Sequence, residues 1–184
     1  MSQTAVKLAN PGPLGLLGFG LTTILLNLHN AGLIPLSIVI IGMGFALGGL
    51  AQIIAGIFEF RNGNTFAGTA FTAYGTFWWS LVAIWTMAPE GLEADKVSMG
   101  YYLAVWGLFT AFMFIGTLKH NRTTQVVFGS LTALFFLLAL GDFTLIPEVT
   151  VIAGIVGIFC GLSAFYSAVA QVVNAEFGRS VFPL

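Results

Sequence analysis

Between Leu36 and Phe60 the chain reads LSIVIIGMGFALGGLAQIIAGIFEF. Its one charged side chain, Glu59, stands next to its last residue, and the amide side chain of Gln52 lies inside it. A helix needs about 20 mostly apolar residues to cross the hydrocarbon core of a bilayer. A membrane β-barrel would instead show alternating strands of about ten residues. The stretch therefore predicts a membrane-spanning helix.

Five more apolar stretches of this kind predict further spans. The six run roughly from Pro13 to Leu28, Leu36 to Phe60, Thr65 to Ala88, Ser98 to Leu118, Thr123 to Leu140 and Val149 to Val173. Short turns rich in Gly, Pro, Asn or charge separate them, the last from Gly141 to Glu148. We therefore expect an all-α membrane protein with six transmembrane helices in residues 13–174. Residues 1–12 would form an N-terminal segment and residues 175–184 a C-terminal tail.

The composition agrees with that class. The 184 residues are 58% hydrophobic and 7% charged, with a net charge of -1. Soluble domains carry roughly 25% charged residues. A soluble enzyme, a nucleic-acid-binding protein and a disordered regulator are therefore excluded. No cleavable signal peptide is expected, because the apolar run from Leu14 is followed by another span rather than by a soluble domain.

Lysine and arginine set the orientation, because cytoplasmic loops carry an excess of them. Given six spans, one side carries five of these residues and the other side carries only Lys96. The five are Lys7, Arg61, Lys119, Arg122 and Arg179. Both termini are therefore expected in the cytoplasm, and the protein in the cell (inner) membrane.

Residues that support enzyme chemistry are scarce. His29 and His120 fall near turns on opposite sides of the membrane, so they cannot share a metal. The single cysteine, Cys160, lies mid-span and excludes both an intramolecular disulfide and a cysteine-based zinc cluster. No nucleotide-binding, metalloprotease or serine-hydrolase motif occurs. We expect no catalytic activity, no metal and no cofactor.

Polar side chains at helical spacing indicate where a membrane pathway would lie. On the first span one face carries Phe19, Thr22, Thr23, Leu26, Asn27 and Asn30. Such a stripe either lines a pathway or forms interhelical hydrogen bonds. On the second span, Gln52 must face protein or water, because lipid cannot satisfy its amide. Glu59 allows two interpretations, a proton-coupling carboxylate or an interfacial side chain in water, and its position favours the second.

The third span carries two stripes that point in different directions. One is hydroxyl-rich and the other aromatic, and the residue pattern alone does not say which faces a pathway. The hydroxyl stripe is Thr65, Thr69, Thr72, Thr76 and Ser80; the aromatic stripe is Phe71, Tyr74, Trp78, Leu81 and Trp85. The sixth span has a smooth face that predicts tight helix packing, made of Gly154, Gly157, Gly161, Ala164 and Ala168.

The start of the first span reads Ala9-Asn10-Pro11-Gly12-Pro13-Leu14-Gly15-Leu16-Leu17-Gly18-Phe19. Two prolines so close together predict an extended approach to the helix, with Pro13 in its first turn. The amides of Leu14, Gly15 and Leu16 would then be unpaired at the helix N-terminus, where anions bind.

This stretch resembles the signature NPxPLGLxxF of the acetate uptake transporter family, the succinate–acetate permeases. Seven positions match: Asn10, Pro11, Pro13, Leu14, Gly15, Leu16 and Phe19. Gly12 departs from the Ala or Val usual between the prolines, and Ala9 from the Gly of many members. Gly63-Asn64-Thr65-Phe66 and Phe177-Gly178-Arg179 also resemble bacterial members, so the similarity covers nearly the whole chain.

The resemblance implies a hexamer of six-helix subunits, each with its own pathway for acetate and, in some members, succinate. Proton-coupled uptake and channel-like flux have both been proposed for the family. It implies an apolar constriction at Phe19, Tyr74 and Leu131, which selects the aromatic stripe of the third span. It also links Ala164 to the size of the substrate.

Together these features predict a homo-oligomeric transporter or channel in the bilayer for acetate and similar short carboxylates. The substrate would meet Asn10, Leu14 and Gly15, pass the constriction, and then run beside Thr22, Thr23, Asn27 and Gln52. One alternative is a passive channel for a small neutral solute such as ammonia or urea, because the pathway has no buried cation. Another is a structural membrane protein without a transport role. Acetate flux compared with urea flux separates these functions.

Overall fold

The computed structural model describes residues 9–184, which form six long helices and no strand. We number them in chain order. They are α1 (Gly12–Asn30), α2 (Ile38–Arg61), α3 (Thr65–Thr86), α4 (Lys96–Thr117), α5 (Arg122–Thr144) and α6 (Pro147–Phe177). The six predicted spans are thereby confirmed. Lys7 and the rest of residues 1–8 lie outside the described residues.

Five of these helices are long and apolar enough, on average, to cross a bilayer; α3 is not among them. Its 22 residues suffice for a span, since a helix rises 1.5 Å per residue. Its Thr and Ser residues lower its average hydropathy. Its length and its place within the bundle make α3 the sixth span.

Three of the helices have a side chain that caps their N-terminus. Asn64 accepts a hydrogen bond from the Ala67 amide, and Asn121 accepts one from the Thr124 amide. Asp95 does the same for the Ser98 amide at the start of α4. These residues satisfy helix amides that would otherwise lack a partner. The predicted turns at these three places are confirmed.

The turn predicted from Gly141 to Glu148 is mostly wrong. Helix α5 continues to Thr144 and α6 begins at Pro147, so only two residues connect them. Leu145 adopts a left-handed conformation there, with φ of 57°. Asp142 is helical, and its carboxylate pairs with the Lys96 ammonium at 2.7 Å. Helix α6 also extends past the predicted boundary at residue 174 and ends before Gly178, whose φ is 61°.

Helix α2 contains a π-helical segment, Gly44–Ala51. Two carbonyl groups in this segment accept hydrogen bonds from side chains. The Trp79 indole donates to the Phe45 carbonyl at 2.9 Å, and the Gln52 amide donates to the Gly48 carbonyl at 2.7 Å. π-Helical turns within α-helices often occur at functional sites.

Neighbouring helices in the chain pack closely, except that α3 and α4 meet only through side chains, and α6 packs against α1. The predicted small-residue face of α6 meets α1: Gly157 lies against the Asn27 side chain and Gly161 against the Gly20 carbonyl. Helices α3 and α4 meet through aromatic rings, such as Phe77 on Trp106 at 5.1 Å between centroids. The bundle encloses buried side chains.

Candidate functional site

A vestibule of about 350 Å³ opens at one end of the bundle. Asn10 and Leu184 both line it, so the two described ends of the chain lie on the same side of the bundle. This is the side that the lysine and arginine count makes cytoplasmic. Its other polar lining residues are Glu59, Asn64, His120, Asn121, Thr124 and Gln171.

Glu59 is buried in the wall of this vestibule, with 4% of its surface exposed. Its carboxylate accepts a hydrogen bond from the Asn64 side chain at 2.9 Å. The expectation of an interfacial glutamate in water is therefore wrong. Glu59 is the one acidic residue among the described lining residues of the vestibule.

The start of α1 also differs from the prediction. Pro11 has helical dihedrals, with φ of -81° and ψ of -13°, and the helix begins at Gly12. The Pro11 carbonyl accepts hydrogen bonds from the amides of Leu14 and Gly15, at 3.1 and 3.3 Å. The Asn10 side chain accepts one from the Gly12 amide at 2.9 Å. The predicted set of unpaired amides is therefore wrong, because this chain's own oxygens occupy these donors.

Two small cavities follow the vestibule. The inner cavity has a volume of about 20 Å³ and shares Leu16, Ala70, Phe71 and Phe128 with the vestibule wall. The outer cavity has a volume of about 30 Å³ and is bordered by Thr23, Asn27 and several apolar side chains. A cavity needs about 10–15 Å³ to hold one water molecule. Each cavity therefore has room for one or two waters, and the structure is closed to larger solutes.

Three residues line both cavities: Phe19, Tyr74 and Leu131. They come from α1, α3 and α5, and all three are buried. The rings of Phe19 and Tyr74 lie 6.1 Å apart between centroids. These residues form the boundary between the inner and outer cavities, and we call them the apolar gate.

The hydroxyl group of Tyr74 is held by α4. It lies 3.0 Å from the Thr110 hydroxyl, which donates its own proton to the Trp106 carbonyl at 2.7 Å. Because Thr110 has a single hydroxyl proton, Tyr74 must be the donor to Thr110. Tyr74 thus contributes its ring to the cavities, and its polar atom is engaged elsewhere.

The other predicted pathway residues divide into two groups. Asn10 lines the vestibule, Gln52 the inner cavity, and Thr23 and Asn27 the outer cavity. The second group borders none of these three spaces. Thr22 packs against Gly48, and Gly15 packs against the Phe71 ring. Ala164 is fully buried in the core. Leu14 is 40% exposed and lies in a groove beside α6.

Residues 1–183 match the profile of the GPR1/FUN34/yaaH family. The chain belongs to this family. It is 54% identical over 180 residues to the succinate-acetate/proton symporter SatP of Escherichia coli (strain K12), which covers 97% of this chain and 96% of that protein. A solved structure described as the bacterial acetate channel SatP matches with a TM-score of 0.94 at 53% identity, over 97% of this chain and 99% of that one.

A more distant relative has a different name. Ammonia transport outward protein 2 of Saccharomyces cerevisiae (strain ATCC 204508 / S288c) is 38% identical over 179 residues. The match covers 92% of this chain and 64% of the yeast protein.

Several residues that line the cavities were not predicted from the sequence. Val127 and Phe128 on α5 border the inner cavity, and Leu134 and Phe135 border the outer one. Phe128, Leu131 and Phe135 stand at spacings of three and four residues, so they share one helix face. That apolar periodicity was visible in the sequence, but any buried helix face gives the same signal.

Proposed function

We propose that this protein transports acetate and similar short carboxylates across the cell membrane, through the helix bundle. The observation that carries this proposal is the succession of vestibule, inner cavity, apolar gate and outer cavity, in which each space shares lining residues with the next. The high identity to a protein named as a succinate-acetate/proton symporter supports acetate, and succinate as a second candidate. Catalysis has no part in this proposal.

The apolar gate would work by excluding water and free ions. An apolar constriction dewets, which blocks ion flow without a mechanical plug. Acetate carries a methyl group that tolerates such a zone, and its carboxyl group would meet Gln52 on one side and Thr23 or Asn27 on the other. Because both cavities are small, side chains of the gate must move for each solute that passes.

The assembly is proposed to be a homo-oligomer, a hexamer by the family resemblance. Large apolar side chains cover the outer faces of α2, α4 and α6, and lipid or neighbouring subunits would bury them. Examples on α4 are Tyr101, Val105, Leu108 and Phe112, all exposed in the single chain. The pathway lies inside one subunit, so each copy would conduct independently.

A neutral-solute channel is the second candidate. The observation that favours it is the lining: among the described residues, no Lys or Arg borders the vestibule or either cavity. The yeast relative named for ammonia transport is compatible with it. Under this alternative, ammonia or urea would pass the gate and carboxylates would not.

Flux measurements in proteoliposomes test the two candidates. Purified protein is reconstituted, and uptake of labelled acetate is compared with that of labelled urea and methylammonium, with and without a pH gradient. Protein-free vesicles provide the background. We expect acetate uptake well above background and urea uptake at background. Uptake of urea or methylammonium without acetate uptake would establish the neutral-solute channel instead.

A further inference from the structure

A second set of three side chains lies one helical turn beyond the apolar gate. Each gate residue is followed, four positions further along its helix, by a residue that borders the outer cavity. These residues are Thr23, Trp78 and Phe135. Residues four apart share one face of a helix, and a rise of 1.5 Å per residue places them about 6 Å further along it. Because α1, α3 and α5 are alternate spans and run in the same direction, the three residues form one level of the route. We call them the outer ring.

Trp78 has the largest side chain of the outer ring, and it packs on a glycine face of α2. The residue is 3% exposed. A methyl group built on Gly48 would stand 2.8 Å from the Trp78 Cγ atom, and one built on Gly44 would stand 3.4 Å from its Cε3 atom. Non-bonded carbon atoms are most stable at about 3.5–4.0 Å. The indole ring therefore fills the space that a side chain at position 48 would need.

The position of this one ring affects the size of the outer cavity. Neither Gly44 nor Gly48 borders the cavity, so Trp78 stands between these glycines and the route. A methyl group at position 48 would have to displace the ring by roughly 1 Å to reach an ordinary contact distance. The cavity holds only about 30 Å³, so a displacement of that size toward the route removes a large share of it.

Resting on the proposed function, we infer that Trp78 is a second size-determining residue of the route. Gly48 and Gly44 are its positioning residues, because they let the indole ring lie back from the outer cavity. A carboxylate that has passed the apolar gate meets the Trp78 ring within one helical turn. Acetate then passes, and a carboxylate with an additional carbon, such as lactate, is held back at the outer ring as well as at the gate.

The next residue along each of the two helices provides a matched pair. A methyl group on Gly49 would collide with the Trp79 ring. Trp79 is 37% exposed and borders neither cavity. Both glycine–tryptophan pairs join α2 to α3, so a purely structural role predicts similar effects at both. A role in size selection predicts a change of selectivity at Gly48 and Trp78 alone.

The first test reduces the size of each tryptophan in turn. Uptake of labelled lactate and labelled acetate is measured in proteoliposomes that contain the full chain, with protein-free vesicles as background. Trp78→Phe should raise the ratio of lactate to acetate uptake about tenfold, the smaller effect of one methylene group at an apolar site. Trp79→Phe should keep the wild-type ratio, although it also loses the hydrogen bond to the Phe45 carbonyl. A wild-type ratio in Trp78→Phe, or an equal rise in Trp79→Phe, would overturn the inference.

The second test moves the Trp78 ring without changing it. Gly48→Ala should lower acetate uptake about tenfold per assembled protein. The added methyl group would also stand 2.9 Å from the Thr22 methyl carbon, so the effect must be assigned to one of the two neighbours. In the double variant Gly48→Ala with Trp78→Phe, the smaller ring should restore acetate uptake. Uptake that stays low in an assembled double variant would place the effect on Thr22 and overturn the positioning role of Gly48.

Assembly and the wild-type result separate this inference from the proposed function. Gel filtration shows which variants assemble, and Trp78→Phe tests the inference even if Gly48→Ala does not. If the wild-type protein takes up no acetate, the proposed function fails. If it takes up acetate and the lactate ratio of Trp78→Phe equals that of the wild type, the inference alone fails.

Discussion

The hydroxyl of Tyr74 donates to the hydroxyl of Thr110, 3.0 Å away on the neighbouring helix α4. This bond removes the one polar atom that Tyr74 would otherwise bring to the apolar gate. The gate therefore presents the ring of Tyr74 rather than its hydroxyl, because of a residue outside the gate. Family resemblance assigns a role to Tyr74, but the contact with Thr110 explains how a tyrosine serves in an apolar constriction.

Replacing Thr110 with valine should therefore wet the gate. The Tyr74 hydroxyl would lose its acceptor, which costs about 1–3 kcal/mol for a buried group. It would turn toward the cavities and attract water, and leakage of ions through the protein should increase. The measurement is ion leakage from proteoliposomes. The double variant Thr110→Val with Tyr74→Phe should restore tightness, and leakage that persists in it would contradict the mechanism.

The size of the gate should set the size of the solute. Leu131→Ala or Tyr74→Ala enlarges the constriction, and lactate or succinate should then compete better against acetate uptake. Leu140→Ala is the matched control, because Leu140 lies on the same helix with its side chain exposed on the outside of the chain. Unchanged competition in both gate variants would show that the gate lies off the route.

The contact between α1 and α6 should tolerate no additional atom at Gly157. A methyl group there would collide with the Asn27 side chain, which borders the outer cavity. Gly157→Ala should lower the free energy of unfolding by about 1–3 kcal/mol through overpacking. At Gly42, by contrast, an added methyl group meets open space, and Gly42→Ala should be neutral or stabilising. Thermal unfolding of the solubilised protein measures both, and equal melting temperatures would refute the prediction.

The N-terminal cap of α4 should be sensitive to acid. Hydrogen bonds from the Ser98 side chain and backbone hold the pKa of Asp95 below its usual value. A carboxylate with a lowered pKa stabilises the folded state above its unfolded pKa, and this contribution disappears as the pH falls through the folded pKa. Asp95→Asn keeps an acceptor without the charge. The melting temperatures of wild type and Asp95→Asn should differ at pH 7, and the difference should shrink as the pH falls below the usual aspartate pKa of about 3.9; a constant difference would contradict this.

Sidedness can be tested by cysteine labelling in a Cys160→Ala background. Glu93→Cys lies in the loop before α4 and Lys119→Cys in the loop after it, and both native residues are exposed. An impermeant reagent should label Glu93→Cys from outside the cell and Lys119→Cys only after the membrane is opened. Labelling of both positions in intact cells would refute the six-span topology.

The sequence was informative where a local pattern determines the structure. The six spans followed from long apolar runs, and the gate residues from the resemblance to a known family. Thr22 and Thr23 show the limit of that approach. They are adjacent, so they point about 100° apart around α1, and only the positions of α2 and α6 decide which of them reaches a cavity.

The expectations that failed depend on contacts between distant parts of the chain. Glu59 is buried because the start of α1 and the Asn64 side chain cover it, which no helical pattern in α2 indicates. The amides at the start of α1 were predicted to be free to bind an anion. Because Pro11 has helical dihedrals, its carbonyl instead accepts hydrogen bonds from the Leu14 and Gly15 amides. The short connection at Leu145 uses a left-handed conformation that is unusual for leucine.

The central claim is that acetate passes between Phe19, Tyr74 and Leu131. The direct measurement is uptake of labelled acetate by proteoliposomes that contain Leu131→Trp, with Leu140→Trp as the matched control on the exposed face of α5. Both variants must assemble like the wild type by gel filtration. The account predicts uptake at the protein-free level for Leu131→Trp and wild-type uptake for Leu140→Trp. Wild-type uptake by a correctly assembled Leu131→Trp protein would contradict it.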